Sequence, residues 1–529
     1  MRHADLLAAK ATTDLDHAKR AFGRYYTPRA IAARLAEDVA AAIEGRAGEF
    51  ISCIDPFCGD GRLVAAVMRS SHRRTHSSTR WNVMLCDLDA GVVDDAVEAV
   101  AAVAAELMLD CEIHGGVTDA FSLLPEHGGE YDIVVTNPPW EVLKPDRREM
   151  GAMTEADRDE YLQAMRAYDS MLATRLPWSQ PVKKFSGWGT NLSRCGLELA
   201  LRLCRAESGV CGIVLPASVM NDQSSARLRR WMFDSHGVHR IAHYPAEAKL
   251  FDGVDQPFVT VLAGAGCCGS RITLDRYQTD GTLCDSSDVS VTAQGFAESG
   301  HRVSCDIPGS LAQLLMQWQD LPALGDLEGD DRDALWMGRE LDETGYARFT
   351  GTKGIVPFIK GRMVGRFAAL RGSDLFISDP HVRLPASVGH VRATWRDVSR
   401  RSQRRRVQAT VIPANVVTGN SLHVAYFRDD DESRLLALLA LLNSMPVELQ
   451  VRSGLGTGHV SLGVIRSVRV PRLDDAVAVA TLASLARDAI HGDACADTRI
   501  EAAVAKLYGL DSDATSDIER FFLDPYARG

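Results

Sequence analysis

Between about residues 50 and 265, short β-rich runs alternate with longer segments of helical periodicity. The runs are FISCID (50–55), WNVMLCD (81–87), YDIVVTN (131–137), GVCGIVLP (209–216) and PFVTVLAG (257–264). Helices are expected at 61–70, 91–109 and 194–207, where apolar residues recur three and four apart. Alternation of this kind predicts an α/β fold, a parallel sheet sandwiched between helices. Two segments break the rhythm: the polar loop SSHRRTHSST (70–79) and a charged and aromatic insertion at 143–190. Insertions after strand C-termini are where α/β sheets place substrate loops.

From 265 to 300 the chain turns to Gly, Cys, Ser, Asp and Thr, which reads as a boundary or linker. Irregular, turn-rich segments follow to about 475, and then two amphipathic helices ending in RIEAAVAKLYGLDSDATSDIERFF. The expected division is an N-terminal helical segment at 1–45, an α/β domain at 46–290 and a mixed α+β domain at 300–529.

Composition changes this picture little. With 529 residues, 46% hydrophobic and 24% charged, the chain has ordinary globular make-up for more than one domain. No apolar run reaches the ~18 residues of a membrane span, and the N-terminus lacks an apolar signal core, so a cytoplasmic location is expected. The twelve cysteines are scattered without metal-ligand spacing and read as reduced, mostly buried thiols; no metal is expected. Net charge is −11, yet RATWRDVSRRSQRRR (392–406) holds seven arginines against one aspartate. Such a run is often a solvated face. In so acidic a chain it also suits a polyanion such as DNA, through Arg392, Arg396, Arg400, Arg401, Arg404, Arg405 and Arg406.

Candidate chemistry lies at the strand ends. FISCID runs into DPFCGDG, so Asp55 precedes Gly59, Gly61 and a helix start. Glycines there let backbone approach a ligand closely, but Asp55 would repel a pyrophosphate, and no P-loop is present. The second strand ends in CDLD, making Asp87 the candidate for ribose hydroxyls, with Asp89 as the alternative. Asp119, in TDAF, can accept from an adenine amino group. An adenosine without phosphate machinery points to S-adenosylmethionine. After the fourth strand comes NPPW (137–140). Two prolines make a stiff, non-helical corner that leaves the Asn137 amide and a carbonyl available beside the flat face of Trp140.

In order, GRYYTP (23–28), DPFCGDG, CDLD, TDAF and NPPW resemble motifs X and I to IV of the gamma-class methyltransferases that modify adenine N6 in DNA. GTNLSRCGLELALRLCRAESGVCGIVLPASV is similar to the motif V and VI segment, and KLFDGVDQPFVTVLAG to motif VIII. Looser likenesses to the target-recognition half of restriction-modification methylases continue through PFIKGRMVGRF, LLALLNS and AKLYGL.

The resemblance implies a Rossmann-like class I S-adenosylmethionine-dependent methyltransferase fold followed by a mixed α+β target-recognition domain. It implies that Thr27 and Asp55 hold the methionine part of the cofactor, Asp87 the ribose and Asp119 the adenine. Asn137, the Pro138 carbonyl and Trp140 would hold a flipped adenine of duplex DNA, with Phe251 or Phe258 covering its other face. Trp is less usual than Tyr or Phe at the last motif position. The expected setting is a restriction-modification or phage-defence system, any cleavage belonging to a separate endonuclease or subunit, since the chain begins almost at motif X. Alternatives are an RNA-base or protein-glutamine methyltransferase, sharing the same corner, and a catalytically silent DNA-specificity subunit.

Overall fold

A computed structural model describes residues 26–44, 50–74, 79–145, 150–151, 153–181, 188–251, 254–264, 269–292, 296–297, 299–368, 372–399, 403–454 and 459–523. They fall into two units, Met1–Ala312 and Gln313–Gly529. The division lies after the expected 290–300 boundary.

In the first unit the five expected runs form β1 (Phe50–Asp55), β2 (Arg80–Asp87), β4 (Ile133–Thr136), β5 (Val210–Pro216) and β7 (Phe258–Gly264), joined by β3 (Cys111–Val117) and β6 (Gly237–Tyr244), which were not among them. The expected linker is overturned. Its residues form β8 (Arg271–Tyr277) and β9 (Leu283–Ser290), an antiparallel hairpin closed at Asp280–Thr282. Among the described residues these nine strands make one sheet in the order β3-β2-β1-β4-β5-β7-β6-β8-β9. Pairing is parallel from β3 to β5, but β7 runs antiparallel between β5 and β6, so the sheet is mixed rather than wholly parallel.

The helices α1 (Arg29–Ile43), α2 (Arg62–His72), α3 (Ala90–Glu106), α4 (Glu155–Arg175), α5 (Leu192–Leu203) and α6 (Ala226–Ser235) belong to the same unit. The α1 helix buries Ile31, Leu35, Val39 and Ile43 in the core that includes β1, β2 and β5, so it is part of the α/β unit rather than a separate segment. A Cβ on Gly212 of β5 would come within 2.6 Å of Val39 Cγ2, which shows how closely helix and strand approach. Burial of whole strands such as β4, β5 and β7 explains their near-continuous apolar sequence.

Successive strands β1, β2 and β3 step outward on one side, whereas β4 joins β1 on the other. The order therefore reverses between β1 and β4, and their C-terminal ends carry Asp55 and Asn137. Crevices at such reversals are where open α/β sheets bind ligands.

The second unit holds β10 (Leu335–Gly338), β11 (Thr350–Gly351), β12 (Val356–Ile359), β13 (Phe376–Ile377), β14 (Arg392–Arg396), β15 (Ala409–Ile412), β16 (Val417–Thr418) and β17 (Leu422–Phe427). Among the described residues they form two four-stranded sheets, β10-β17-β14-β15 and β11-β13-β12-β16. Helices α7 (Glu432–Leu442), α8 (Met445–Gly454), α9 (Ala476–Ile490), α10 (Ala496–Leu507) and α11 (Ser512–Leu523) follow. The chain end thus holds three helices where two were expected. No single helix among the described residues is long and apolar enough to cross a membrane.

Candidate active site

β1 ends in a tight turn that the glycines make possible. Gly59 (φ 50°) and Gly61 (φ 74°) take left-handed conformations, and a Cβ on Gly61 would lie 2.9 Å from the Ala96 carbonyl of α3. The turn delivers α2 with no side-chain cap, next to a cavity of about 200 Å³. Burial pushes the Cys86 thiol up to about 12 and that of Cys58, which lines the cavity, higher still, so both stay protonated.

The cavity brings together residues far apart in sequence. Thr27, Asp87, Asp119 and Asn137 line it, with Phe57 and Phe121 as apolar wall whose ring centroids are 5.2 Å apart. Asp89 is not among the lining residues. It caps α3, its Oδ1 accepting from the Gly91 and Val92 amides at 2.9 and 3.3 Å, which leaves Asp87 as the strand-tip acid of the cavity.

Asp55 sits behind the cavity wall, fully buried. Its Oδ1 accepts from Thr136 Oγ1 at 2.7 Å and from the Phe57 amide at 3.1 Å, while Oδ2 finds no partner among the described residues. Burial pushes its pKa up to about 7 against the two hydrogen bonds. The buried Thr27 Oγ1 is likewise without a partner among the described residues. A buried polar atom without a protein partner calls for a water, an ion or a ligand group to complete its hydrogen bonding. The Thr27 carbonyl is held by Arg62 Nη1 at 2.8 Å, and Arg62 also pairs with Asp60. The tyrosine next to Thr27, Tyr26, lies under the Arg62 guanidinium, 5.3 Å from it.

At the corner, Pro138 is buried and Asn137 half-buried. The start of α5 presses on it: a Cβ at Gly196 would lie 2.3 Å from Pro138 Cβ. Beyond the corner, Leu143 donates to the Thr190 carbonyl and Leu192 to the Glu141 carbonyl, both at 2.8 Å. The insertion is thereby pinned at its base.

Trp140 packs on Phe251 and Phe258, with ring centroids 5.2 and 6.1 Å away. Phe258 in turn stacks on Tyr244 (4.7 Å) and Tyr244 on Tyr277 (4.5 Å), each pair 11° from parallel. Both phenylalanines are buried. Both rings therefore pack against the indole itself.

Several lining residues were not singled out in the sequence. The insertion contributes Tyr161, Met165 and Tyr168 from α4. Together with Leu172 they form its buried stripe at i, i+4, i+7 and i+11, a helical spacing visible in YLQAMRAYDSML. Thr136 and Gly196 are further contributors to the geometry, and only their neighbours in space reveal them.

The arginine run in the second unit is corrected. Arg392 is 0% exposed; it pairs with the equally buried Glu340 and donates to the His390, Pro413 and Val416 carbonyls. Arg406 is buried, with Nε on Ser399 Oγ at 3.1 Å. Arg405 pairs with Glu501 at 2.6 Å, and half-buried Arg396 donates to the Val364 carbonyl at 2.5 Å. Of the five described members only Arg404 is exposed; Arg400 and Arg401 lie outside the described residues. The described members do not form one basic face, because β14 turns Arg392 inward, Glu340 and Glu501 pair with Arg392 and Arg405, and Arg406 is buried.

No protein-family model and no curated protein matches the chain. Among solved structures, the type IIL restriction-modification enzyme MmeI, in complex with DNA, is similar with a TM-score of 0.55 and 11% identity, over 99% of this chain and 81% of that one. The type IIG restriction endonuclease BpuSI matches at TM-score 0.47 and 14% identity, over 97% and 68%. A nuclease-deletion mutant of the type ISP restriction-modification enzyme LlaGI matches at 0.49 and 10%, over 88% and 54%. At 11% identity the similarity to MmeI is one of fold, a mixed α/β chain built on a large sheet.

Proposed function

We propose that this protein is a DNA methyltransferase that transfers a methyl group from S-adenosylmethionine to the N6 amino group of an adenine flipped out of duplex DNA. The proposal takes the first unit as a Rossmann-like class I methyltransferase domain and the second as the target-recognition half. One observation carries the reading: Asn137, at the tip of β4, shares a single cavity with Thr27, Asp87 and Asp119, and Asp55 lies directly behind it, joined to Thr136. The fold likeness to MmeI, a restriction-modification enzyme solved with DNA, supports the same substrate class and a restriction-modification setting.

The residues present fit the cofactor. Asp55 Oδ2 and Thr27 Oγ1 offer acceptors for the ammonium and polar groups of its methionine part. Asp87 would hold the ribose and Asp119 the adenine amine, between the apolar rings of Phe57 and Phe121. When bound, S-adenosylmethionine supplies an electrophilic methyl group. The chain supplies alignment. Asn137 Oδ1 and the Pro138 carbonyl accept the two N–H bonds of the target amine, drawing its nitrogen towards tetrahedral geometry and concentrating a lone pair otherwise delocalised into the ring. Extruding a base costs a few kcal/mol, and stacking on Trp140, at roughly 1–3 kcal/mol per base, offsets much of it.

Incubation of the purified protein with methyl-labelled cofactor and plasmid DNA, tRNA or bulk protein tests the reading. Label in DNA as N6-methyladenine is expected, and Asn137→Ala should abolish it while cofactor binding by calorimetry persists. Label only in RNA or protein, or none in any acceptor, would overturn the substrate assignment.

A further inference from the structure

The insertion helix α4 does more than wall the cavity. Tyr168, on its buried stripe, hydrogen-bonds the side chain of Asp119. The Asp119 Oδ1 also accepts from the Phe121 amide at 3.1 Å, and Arg175, about two helical turns after Tyr168, donates to the Phe121 carbonyl at 3.3 Å. The turn after β3 is therefore gripped from its own backbone and from α4 together. Tyr168 and Asp119 both line the cavity, so the phenol meets the carboxylate at the ligand-facing surface.

We propose that Tyr168 is a positioning residue for nucleobase selection: its hydroxyl holds the Asp119 carboxylate in the orientation that accepts from a purine 6-amino group and rejects a 6-oxo group. The proposal rests on the reading that Asp119 faces the adenine of the cofactor. A carboxylate has lone pairs only, so it accepts from an amine and repels a carbonyl oxygen in the same place. Left to rotate, the same carboxylate would find other partners, and the discrimination would fade. A site that fixes its acceptor rejects the analogue lacking the donor far more strongly than apolar fit alone allows. The hydroxyl donor comes from a segment inserted between β4 and α5, so base selection is shared between the sheet and a helix outside its regular succession.

The test is calorimetric binding of S-adenosylhomocysteine and of its 6-oxo (inosine) analogue to the purified full chain, wild type, Tyr168→Phe and Asp119→Ala. The phenylalanine keeps the ring and its packing and removes only the hydroxyl. Wild type should prefer the amino compound, and Tyr168→Phe should lower that preference on the order of tenfold, towards the level of Asp119→Ala, chiefly by weakening the amino compound. Equal weakening of both compounds by Tyr168→Phe would mean a merely structural helix contact. An unchanged preference, with Asp119→Ala still losing it, would also overturn the role of Tyr168 while leaving the Asp119 reading intact. If neither variant altered the preference, the adenine would not face Asp119, and both readings would fall.

Discussion

The Thr136 hydroxyl donates to the Asp55 carboxylate across 2.7 Å, tying the end of β4 to the end of β1 where the sheet order reverses. The strand that carries the NPPW corner is thus bonded, through one buried proton, to the carboxylate assigned to the cofactor. Geometry at one half of the proposed site is transmitted to the other without any intervening loop.

This bond predicts a pH dependence. Burial holds Asp55 at about 7, against an ordinary value of about 3.9, and Thr136 pulls it down from higher still. Only the ionised carboxylate pairs with an ammonium, so S-adenosylhomocysteine should bind more tightly as pH rises through 7. Thr136→Val should move that midpoint upward, as titration calorimetry across pH 5.5–8.5 would record. Folded-state stability runs the other way. A raised carboxyl pKa contributes stability that is complete below pH ~4 and is lost as pH rises through 7, where the native state must carry a buried charge. Asp55→Asn, neutral throughout, should therefore gain melting temperature relative to wild type at pH 8 compared with pH 5, without ligand.

Gly196 gives a second prediction. Its α5 backbone lies so close to the corner that an added Cβ would sit 2.3 Å from Pro138 Cβ and 2.8 Å from Cγ. Pro138 is buried and cannot swing aside as a flexible side chain would. Gly196→Ala should shift the corner by a fraction of an ångström, at a stability cost of roughly 1–3 kcal/mol. Displaced acceptors should lower kcat at least tenfold. Cofactor affinity, set on the other strands, should stay within about twofold. Single-turnover rates alongside calorimetry would separate the two effects.

How much of this was legible beforehand depends on burial. The strands β1, β4, β5 and β7 announce themselves as apolar runs because the sheet buries nearly all their residues, β2 through its alternately buried Trp81, Val83 and Leu85, and the strand-end acids follow from their position. The β8–β9 hairpin was read as a linker because β9 is a half-exposed edge strand, LCDSSDVS, with too little buried surface to impose an apolar pattern. The sense of β7 could not be read either, since a wholly buried apolar run reads the same in both directions. Tyr168 was visible in spacing but not in meaning: a helical stripe shows which face is buried, not which carboxylate it meets. The arginine run misled for a related reason. Charge density along the chain does not reveal which guanidinium groups are matched by distant acids such as Glu340 and Glu501.

Arg392 shows the difference. Its side chain and that of Glu340 are fully buried, and Glu340 also accepts from the Thr418 amide at 2.7 Å, so the pair joins β14 to β16. Arg392→Ala would strand a buried carboxylate and should cost about 3–5 kcal/mol of stability. The loss should appear as a lowered urea midpoint. DNA affinity per folded molecule, measured well below the midpoint, should be unchanged, because the guanidinium has no face to offer a phosphate.

Arg404 makes the opposite case. It is exposed and precedes two arginines whose guanidinium groups are held internally. Its substitution by alanine removes little packing and should leave the melting temperature within about a degree, as expected for surface changes within ±0.5 kcal/mol. If the second unit binds duplex DNA, each lost phosphate contact should lower the slope of log K against log salt by about one. Arg404→Ala should therefore weaken binding at 50 mM salt more than at 200 mM, and equally on specific and unrelated sequences. A slope identical to wild type would place the phosphate contacts elsewhere on the unit, and a loss confined to one sequence would make Arg404 a base reader instead.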